Sequence, residues 1–357
     1  MTLRRMQVTD FRCLHHGDIE FDPGFTLFSG PNAAGKTSVL EAVYVLGRGR
    51  SFRTRRLEHL IRAGSDRFRV VGEIHRADRR VTVGVEGTAE GIRGRIAGER
   101  VTSLTELTAV LPVQIIDPEV HRLIEEGPSR RRRFLDWGVF HVEPTFMGHW
   151  QKYGQVLRQR NAALRAHAGA SVVSAWDPEL VQFAVLMTQA RQRYMDMLAP
   201  LAAQVASKLL GLELTLSFRT GWSRDLAFDQ ALERSWRQDQ ELGSTQVGPQ
   251  RAEVAVKLDG LLARDRISRG QQKLLAAVLI ISQLKLLPPE MGVRPVLLLD
   301  DPAAELDADR LRAFMGELGA QPLQLIVTTL EQDPSVLDGI GQPGRRYRLE
   351  QGEIHAG

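Results

Sequence analysis

Residues 25 to 38 read Phe-Thr-Leu-Phe-Ser-Gly-Pro-Asn-Ala-Ala-Gly-Lys-Thr-Ser, and this stretch decides which fold the chain can adopt. Phe25 to Phe28 form an apolar run typical of a buried strand, and residues 39 to 43 continue with helical character. Between them the chain has the spacing G-x-x-x-x-G-K-[ST], provided by Gly30, Gly35, Lys36 and Thr37. The stretch therefore predicts a strand, a phosphate-binding loop and a helix in direct succession.

Each residue type in this loop has a chemical reason. Glycines let the backbone turn until its N–H groups converge on phosphate oxygens, and the helix N-terminus adds its positive dipole end. Lys36 is predicted to reach the β and γ phosphates, and the Thr37 hydroxyl to occupy one octahedral position of Mg²⁺. The predicted cofactors are ATP and Mg²⁺. The predicted nucleotide-binding residues are Gly30, Pro31, Asn32, Ala33, Ala34, Gly35, Lys36, Thr37 and Ser38.

Length and composition limit the class of protein. The chain has 357 residues, enough for a large core and two lobes, and 43% hydrophobic with 25% charged residues is typical of a soluble globular protein. Its longest apolar run, Leu274 to Ile281, is too short to span a bilayer, and the N-terminus lacks the apolar core of a signal peptide. We therefore expect a cytoplasmic protein without a membrane partner. The single cysteine, Cys13, excludes an internal disulfide framework and a C-x-x-C metal site.

The net charge is only +4, which by itself indicates no particular partner. The clustering of arginine weakly favours a polyanionic partner. One dense stretch comprises Arg48, Arg50, Arg53, Arg55, Arg56, Arg62, Arg67 and Arg69, and a run of four spans Arg130 to Arg133. Both clusters are candidate phosphate contacts. For any one arginine of the first cluster a solvated, salt-bridged surface is the better interpretation, and the second cluster could instead form salt bridges inside a helical lobe.

A second group of chemical residues lies far downstream. Val296 to Leu299 is a short apolar run typical of a buried parallel strand, and it ends in Asp300-Asp301. Carboxylates at the carboxyl end of such a strand lie where open α/β sheets bind ligands. Asp300 is predicted to hold Mg²⁺ through water, and Asp301 to orient or deprotonate the attacking water. Upstream, Ser268-Arg-Gly-Gln precedes an apolar helix, a pattern that by itself indicates a helix cap.

The remaining pattern predicts the surrounding elements. Strands are predicted at 3–11, 18–21, 68–74, 81–85, 91–96, 213–219, 253–258 and 323–328, and helices at 37–46 and 274–287. The strands between 68 and 101 should form an antiparallel side sheet. Helical spacing on both sides of residues 166 to 178 predicts two antiparallel helices, with Pro200 bending or interrupting the second.

The order of these motifs resembles the ABC-type ATPase heads, and within that class the chain is similar to the RecF family of bacterial recombination-repair ATPases. The resemblance covers essentially the whole chain. The segments that carry it are Pro118-Glu119, Pro128-Ser129, Arg131 to Asp136, Leu157, Arg160-Asn161, Leu164, Val247-Gly248-Pro249, Arg251, Ser268-x-Gly-Gln-Gln, Leu299-Asp300-Asp301 and Ala304 to Asp307.

The resemblance implies a head that dimerises around two ATP molecules, with Lys36, Asp300 and Asp301 as catalytic residues. Ser268, Gly270 and Gln271 would contact the γ phosphate from the opposite subunit, and Asp307 would lie on the turn that crosses the dimer interface. It further implies a weak, Mg²⁺-dependent and DNA-dependent ATPase. Such a protein would bind single-stranded, gapped or junction DNA, work with RecO and RecR to load RecA, and support SOS induction and replication restart.

Several positions depart from the family pattern. Asp301 stands where most ABC heads have the longer Glu, which predicts slow turnover suited to a switch. Gln250 follows Gly-Pro where the family usually has His, and Glu126-Gly127 stands where Gly and a small residue are expected. Thr328-Thr329 occupies the region where many ABC heads have a histidine that senses the γ phosphate. Gln114 is only a candidate for the Q-loop.

The predicted fold is α/β, a two-lobe ABC-type ATPase head of the P-loop NTPase class with a mainly helical second lobe and a short helical hairpin. Lobe I should comprise 1–112 and 291–357, and lobe II 113–290. An ABC transporter ATPase subunit is the first alternative, against which the family-specific segments argue. A long SMC-like tether is disfavoured by the short helical region, and a small-molecule kinase by the downstream Ser-x-Gly-Gln.

Overall fold

The computed structural model describes residues 2–76, 79–288, 294–304, 308–330 and 340–357. The chain divides into two compact units. Unit I comprises Met1–Val120 and Pro288–Gly357, and unit II comprises His121–Leu287.

Unit I contains two six-stranded sheets. The antiparallel sheet comprises β1 (Thr2–Phe11), β2 (Leu14–Glu20), β4 (Arg67–Arg76), β5 (Arg79–Thr88), β6 (Gly91–Ile96) and β7 (Glu99–Arg100), in the order β2-β1-β4-β5-β6-β7. The other sheet comprises β3 (Phe25–Ser29), β8 (Val113–Ile116), β12 (Val296–Asp300), β13 (Gln324–Thr329), β14 (Arg345–Glu350) and β15 (Glu353–Ala356), in the order β15-β14-β3-β13-β12-β8. Its strands are parallel except β15, which pairs antiparallel with β14.

The described helices of unit I are α1 (Lys36–Arg48), α2 (Thr105–Val110) and α11 (Ala308–Gly319), with 3₁₀ turns at Leu57–Leu60 and Pro302–Ala304. Helix α1 packs against strands of both sheets, and most of its side chains are buried. Strands β12 and β13 are almost entirely buried, as expected for parallel strands covered on both faces. The core of unit I therefore surrounds the helix that follows the phosphate-binding loop.

The predicted end of α1 at Gly47 is too early. The helix continues to Arg48, and Gly49 ends it in the left-handed conformation with φ 61°. Gly47 has a different role, because a Cβ there would lie 2.6 Å from the carbonyl oxygen of Leu111. A close approach of backbone, which a sequence pattern does not reveal, explains this glycine.

The division between the units also differs from the predicted boundary. Residue 113 was expected to begin the helical lobe, but Val113–Ile116 forms β8 and pairs in parallel with β12. Unit I therefore extends to Val120, and it resumes at Pro288 rather than at residue 291. Four residues of strand are too short to show a periodicity that distinguishes them from the helical segments that follow.

Unit II is mainly helical. Its helices are α3 (Arg122–Glu125), α4 (Pro128–Val142), α5 (Phe146–Arg165), α6 (Ala170–Ser174), α7 (Asp177–Leu210), α8 (Phe228–Leu242), α9 (Ala263–Arg266) and α10 (Arg269–Lys285). A three-stranded sheet comprises β9 (Leu214–Arg219), β10 (Glu253–Leu258) and β11 (Leu261–Leu262), in the order β11-β10-β9. The strands predicted at 213–219 and 253–258 are confirmed as β9 and β10, which form an antiparallel pair.

Helix α7 packs against α4, α5, α8 and α10 and so forms the centre of unit II. Pro200 lies within this helix, which continues on both sides of it; of the two predicted effects, an interruption of the helix is therefore wrong, and a bend stays a prediction. The neighbouring residues Leu198 and Ala202 are fully buried, and this packing holds the helix together where the proline removes one backbone hydrogen bond.

Ion pairs with buried arginines connect the elements of unit II. Arg131 binds both carboxylate oxygens of Glu253 at 2.9 and 3.0 Å, and Arg191 binds Asp136 at 2.8 and 3.0 Å. Gln250 is accommodated in the same region, because its amide donates to the carbonyl oxygen of Val247 at 2.8 Å and accepts from the Tyr153 hydroxyl. The glutamine therefore satisfies its polar groups at the position where the family usually has histidine.

Candidate nucleotide-binding site

The loop between β3 and α1 has the backbone conformation that its glycines predict. Gly30 and Gly35 have φ values of 152° and 105°, and Ala33 adopts a left-handed conformation with φ 63°. A Cβ on Gly30 would lie 2.3 Å from the carbonyl oxygen of Leu349. Gly35 is the N-cap of α1 and offers no side-chain hydrogen bond to it. The N–H groups at the start of α1 therefore point toward the loop without a side-chain cap, as an anion site requires.

Lys36 lies across this loop. Its Nζ donates to the carbonyl oxygens of Gly30 at 2.7 Å and Pro31 at 2.9 Å, and the residue is buried. The ammonium group is thus held at the centre of the loop, where phosphate oxygens would replace the two carbonyls as its partners.

The two acidic residues lie at the carboxyl end of β12, and parallel register brings this end next to the loop. Asp300 is the last residue of β12 and pairs with Thr328 of β13, while Thr329 of β13 pairs with Ser29 of β3. The Thr37 hydroxyl lies 3.1 and 3.0 Å from the two carboxylate oxygens of Asp300. Two residues separated by 263 positions in the sequence are therefore in direct contact.

Thr328 makes a second contact with this carboxylate. Its hydroxyl donates to Asp300 Oδ1 at 2.8 Å and accepts from the backbone N–H of Asp301 at 3.1 Å. Asp301 has a left-handed backbone with φ 48°. Thr328 thus connects both acidic residues, a role that the sequence alone did not indicate for the position near the expected histidine.

A cavity of about 340 Å³ joins these groups. Its lining residues are Cys13, Asn32, Ala33, Ala34, Gly35, Lys36, Thr37, Ser38, Arg53, Pro118, Asp300 and Asp301. All of them belong to unit I. The predicted loop residues from Asn32 to Ser38 and both acidic residues therefore line one site, whereas Gly30 and Pro31 are not among its lining residues.

Arg53 and Cys13 also line this cavity, although no motif in the sequence assigns them to it. Arg53 lies 3.8 Å from Glu41, whose buried carboxylate also receives two hydrogen bonds from Arg12 at 2.7 and 2.8 Å. Cys13 is exposed, and its Sγ lies 3.5 Å from the Ser38 hydroxyl. The contact of Arg53 with a residue of α1 brings it to the cavity, and no local pattern distinguishes it from the neighbouring arginines.

The oxygen groups fit a magnesium ion. Thr37 and Asp300 offer a hydroxyl and a carboxylate within 3.1 Å of each other, and Mg²⁺ prefers few protein oxygen ligands together with water and phosphate oxygens. Within the described ranges, no cluster of three or more His, Cys, Asp or Glu side chains could hold a metal by itself. The donors present suit an ion that arrives with a phosphate ligand.

Ser268, Gly270 and Gln271 lie in unit II, at the start of α10. Ser268 is the N-cap: its hydroxyl accepts from the Gln271 N–H at 3.3 Å, and the Gln271 side chain accepts from the Ser268 N–H at 3.1 Å. Gly270 lies in the first turn rather than before the helix. The helix cap is therefore confirmed, while a contact of these residues with phosphate stays a prediction. Asp307 lies outside the described residues.

The four consecutive arginines do not form one surface. Arg131 is buried and bound to Glu253 and to the carbonyl oxygens of Ile124 and Glu126, so its expected role as a phosphate contact is wrong. Arg130 pairs with Glu126 at 2.8 Å. Arg132 is partly buried, and burial, followed by the charge of Arg191, lowers its pKa. Helical geometry sends successive side chains in different directions, which explains why the run separates.

Gln114 lies on β8, opposite Leu297 of β12. This position is one strand away from Asp300, and its assignment as a Q-loop residue stays a prediction. Among the described residues, no helix combines the length and the apolar character that a membrane span requires.

Known proteins resemble the chain over its whole length. The family model described as "RecF/RecN/SMC N terminal domain" matches residues 2–337. The DNA replication and repair protein RecF of Yersinia pseudotuberculosis is 38% identical over 356 residues, which cover 99% of this chain and 98% of that protein. RecF of Pectobacterium atrosepticum is also 38% identical, with the same coverage.

Solved structures agree with these relatives. The structure of the recombination mediator protein RecF with ATP, from the RecFOR pathway, has a TM-score of 0.90 and 26% identity, covering 99% of this chain and 98% of that chain. An SMC head bound to the C-winged helix domain of ScpA has a TM-score of 0.62 at 17% identity, covers 100% of this chain and 97% of that chain, and shows the fold alone. The motifs, the ATPase-head fold and these relatives together lead to one conclusion: the chain belongs to the RecF family.

Proposed function

We propose that this protein is an ATP-dependent DNA-binding protein of recombinational repair and replication restart. The observation that carries the proposal is the contact between the Thr37 hydroxyl and the Asp300 carboxylate at the edge of a glycine loop. A P-loop hydroxyl beside the carboxylate that ends another buried strand of the same mainly parallel sheet is the arrangement that P-loop NTPases use to hold magnesium with a nucleotide. Relatives named for DNA replication and repair, and a neighbour named with ATP, support the same function.

The phosphate-binding loop and the two acidic residues each have a proposed task. The backbone of the loop from Gly30 to Ser38 binds phosphate oxygens, and Lys36 neutralises charge on the terminal phosphates. Thr37 and Asp300 hold Mg²⁺, which supplies charge neutralisation at the phosphates when it is bound. Asp301 orients or deprotonates the attacking water. An aspartate reaches less far than the glutamate of most ABC heads, so we expect a weak, DNA-stimulated ATPase with slow turnover.

The proposed active form is a homodimer that closes on ATP. Ser268, Gly270 and Gln271 at the N-terminus of α10 would meet the γ phosphate bound by the other subunit. Such a contact exists only with the γ phosphate present, so ATP favours the closed dimer and hydrolysis opens it. By family membership, and by the RecFOR pathway named for a solved neighbour, the partners would be DNA at gaps or junctions, RecR and RecO, with RecA loading as the outcome.

The proposal is tested by sedimentation of the purified protein with ADP, with ATP and Mg²⁺, and with ATP, Mg²⁺ and gapped duplex. We expect a monomer with ADP and a dimer with ATP that DNA reinforces. A protein that hydrolyses ATP but stays monomeric in all three mixtures would contradict the dimer proposal.

Ser268 offers a matched pair of variants for the same measurement. Ser268→Asp and Ser268→Asn both keep a good helix cap, because Asp, Asn and Ser are similarly favoured at this position. Only the aspartate brings a negative charge toward the proposed γ phosphate. We expect Ser268→Asp to bind ATP as a monomer without dimerising, and Ser268→Asn to dimerise. Equal dimerisation of the two variants would argue against the contact in trans.

Thr328 is expected to set the Mg²⁺ concentration that ATP turnover requires, because its hydroxyl positions the Asp300 carboxylate. Thr328→Val removes the hydroxyl that donates to the Asp300 carboxylate, while the Asp301 N–H keeps its hydrogen bond to the carbonyl oxygen of residue 328 at 3.2 Å. A hydrogen bond to a charged group contributes about 1.5–3 kcal/mol, so we expect the loss of this contact to lower ATP turnover on the order of tenfold and to raise the Mg²⁺ requirement. Thr328→Ser should restore both. A magnesium titration of ATPase activity that is identical in all three proteins would contradict this role.

Cys13 allows nucleotide occupancy to be measured directly. Because it is the single cysteine and lines the cavity, bound ATP should shield it from alkylation by N-ethylmaleimide. At ATP about 100 times above Kd, the reaction should slow by up to about 100-fold if the bound form does not react. Mass spectrometry of the modified protein measures the rate. Protection that is equally strong in a variant unable to bind ATP would show that another process shields the thiol.

A further inference from the structure

The antiparallel sheet of unit I carries an unusual set of arginines on its solvent face. In register, Arg69 on β4 lies opposite Glu86 on β5, and Glu86 lies opposite Arg93 on β6. Two residues further along β6, Arg95 lies opposite Arg100 on the edge strand β7. All four arginines are exposed, and side chains two apart on one strand share a face with a spacing of about 7 Å. We name Arg69, Arg93, Arg95 and Arg100 the arginine face.

Few carboxylates neutralise this face. Glu86 binds Arg69 at 2.9 Å, and this hydrogen bond, together with the charges of Arg69, Arg67 and Arg93, holds the pKa of Glu86 below its usual value. Within the part of the chain that the structure describes, no carboxylate lies within 4.0 Å of the guanidinium of Arg93, Arg95 or Arg100. Arg95 has only a weak hydrogen bond to the carbonyl oxygen of Gly98, at 3.3 Å. The face therefore keeps an excess of positive charge.

This arrangement does not serve the stability of the sheet. Arg95 and Arg100 are directly opposite each other, and like charges in such cross-strand positions destabilise a sheet by a few tenths to about 1 kcal/mol. Some other exposed arginines of unit I have a carboxylate partner: Arg5 pairs with Asp18, and Arg67 with Asp66. A merely solvated surface accounts for those paired arginines but not for Arg95 and Arg100.

Glycines lie between these arginines, so no large side chain covers the backbone of the sheet there. Gly84 lies between Val71 and Arg95 in the cross-strand row, and Gly91 lies two residues before Arg93 on β6, on the same face of the sheet. A Cβ added to Gly91 would meet no atom within 4 Å, and one added to Gly84 would meet only Val71. A nucleic acid backbone could therefore approach the sheet closely. Docking sites for proteins usually have a buried apolar or aromatic centre, which the four arginines and the glycines between them do not provide.

We propose that the arginine face binds the phosphate backbone of DNA. The proposal rests on the function proposed above and names the surface that would carry its DNA contacts. Guanidinium groups match phosphate oxygens with two parallel hydrogen bonds, and contacts to phosphates position DNA without reading its sequence. Arg93 and Arg95 are separated by one residue on β6, and Arg100 lies on the next strand, β7. These three arginines therefore form no continuous run in the sequence. Only the register of the sheet brings them together.

The test compares DNA binding of the full-length protein with that of a triple variant, Arg93→Ala, Arg95→Ala and Arg100→Ala. Fluorescence anisotropy of a short labelled duplex, with ATP and Mg²⁺, is measured between about 50 and 200 mM salt. Each lost phosphate contact should lower the slope of log affinity against log salt by about 0.9, so the slope should fall by about 2 to 3. We expect the affinity at the low end of this range to fall on the order of tenfold or more.

A second triple variant controls for the loss of three charges. Arg5→Ala, Arg312→Ala and Arg348→Ala removes three exposed arginines that each pair with a carboxylate, namely Asp18, Asp309 and Glu350. This variant should keep the slope of the unmodified protein. Both variants should unfold near the unmodified temperature and bind ATP normally, and relief of the repulsion between Arg95 and Arg100 should slightly stabilise the first.

The outcomes separate the two proposals. An unmodified protein that binds ATP but no DNA overturns the proposed function itself. A first variant whose salt slope equals that of the unmodified protein overturns the arginine face and leaves the proposed function standing. Binding of polyglutamate is measured in the same way. If the first variant keeps the salt slope of DNA binding but no longer binds polyglutamate, the face binds an acidic polypeptide instead, which also overturns the proposal.

Discussion

Lys36→Ala is expected to remove ATP binding and to reduce ATP turnover by at least about 10²- to 10³-fold, the loss typical for one preorganised charge-stabilising group. The Lys36 ammonium is buried at the centre of the loop, 2.7 Å from the Gly30 carbonyl oxygen and 2.9 Å from that of Pro31. Nothing else in the loop from Gly30 to Ser38 carries a positive charge. Nucleotide binding by calorimetry and turnover by phosphate release would measure the two effects.

Two further variants test whether the position and the shape of the Lys36 ammonium matter, beyond its charge. Lys152→Ala removes an exposed lysine of α5 and should leave both quantities unchanged. Lys36→Arg keeps the charge but replaces a compact ammonium with a larger planar group, so we expect it to remain defective. The Lys36→Ala variant should also abolish the dimer seen with ATP and the protection of Cys13. Normal ATP affinity in Lys36→Ala would mean that the cavity binds a different ligand.

Arg160→Ala is expected to have the largest effect on stability, a loss of about 3–5 kcal/mol in the free energy of unfolding. Arg160 is fully buried, with Asp177 and Asp239 each at 2.7 Å and the Thr245 hydroxyl at 2.8 Å. Asp239 is fully buried as well. Removal of the guanidinium leaves this carboxylate without its charged partner, and an unpaired buried charge is far more costly than a lost surface contact.

Arg193→Ala is the matched control for this prediction. Arg193 also pairs with a carboxylate of unit II, Glu143 at 2.8 Å, but its side chain is 57% exposed. Exposed ion pairs contribute about 0–1 kcal/mol, so urea unfolding should show a small change for Arg193→Ala. Similar losses for the two variants would show that the Arg160 network has relaxed or taken up water and does not hold the helices together as described.

The buried arginines change how the run of four is interpreted. Arg131 and Arg160 both belong to segments that carry the family resemblance, and both bind carboxylates inside unit II. A loss of DNA binding in an Arg131 variant would therefore need a stability measurement beside it. By contrast, Arg93, Arg95 and Arg100 are exposed and can be replaced without breaking an ion pair with a described carboxylate.

The sequence by itself determined the phosphate-binding loop, the helix cap at Ser268 and the strand that ends in Asp300. These features depend on neighbouring residues: glycines that permit positive φ, a hydroxyl that caps the next turn, and an apolar run that only a doubly covered strand can bury. The family resemblance, carried by the order of these motifs, added the two-lobe ATPase-head fold, which the two units and the similarity to solved RecF structures confirm. Local chemistry was sufficient for each of these predictions.

Only the tertiary structure decided which distant residues meet. The contact of Thr37 with Asp300 and the bridge made by Thr328 follow from the order of parallel strands, and the arginine face follows from antiparallel register. The placement of Arg53 at the cavity and the burial of Arg131 depend on packing between elements far apart in the chain. Strand order and register are set by the burial of the whole core, so the free energy that selects these contacts is not encoded in any short stretch of sequence.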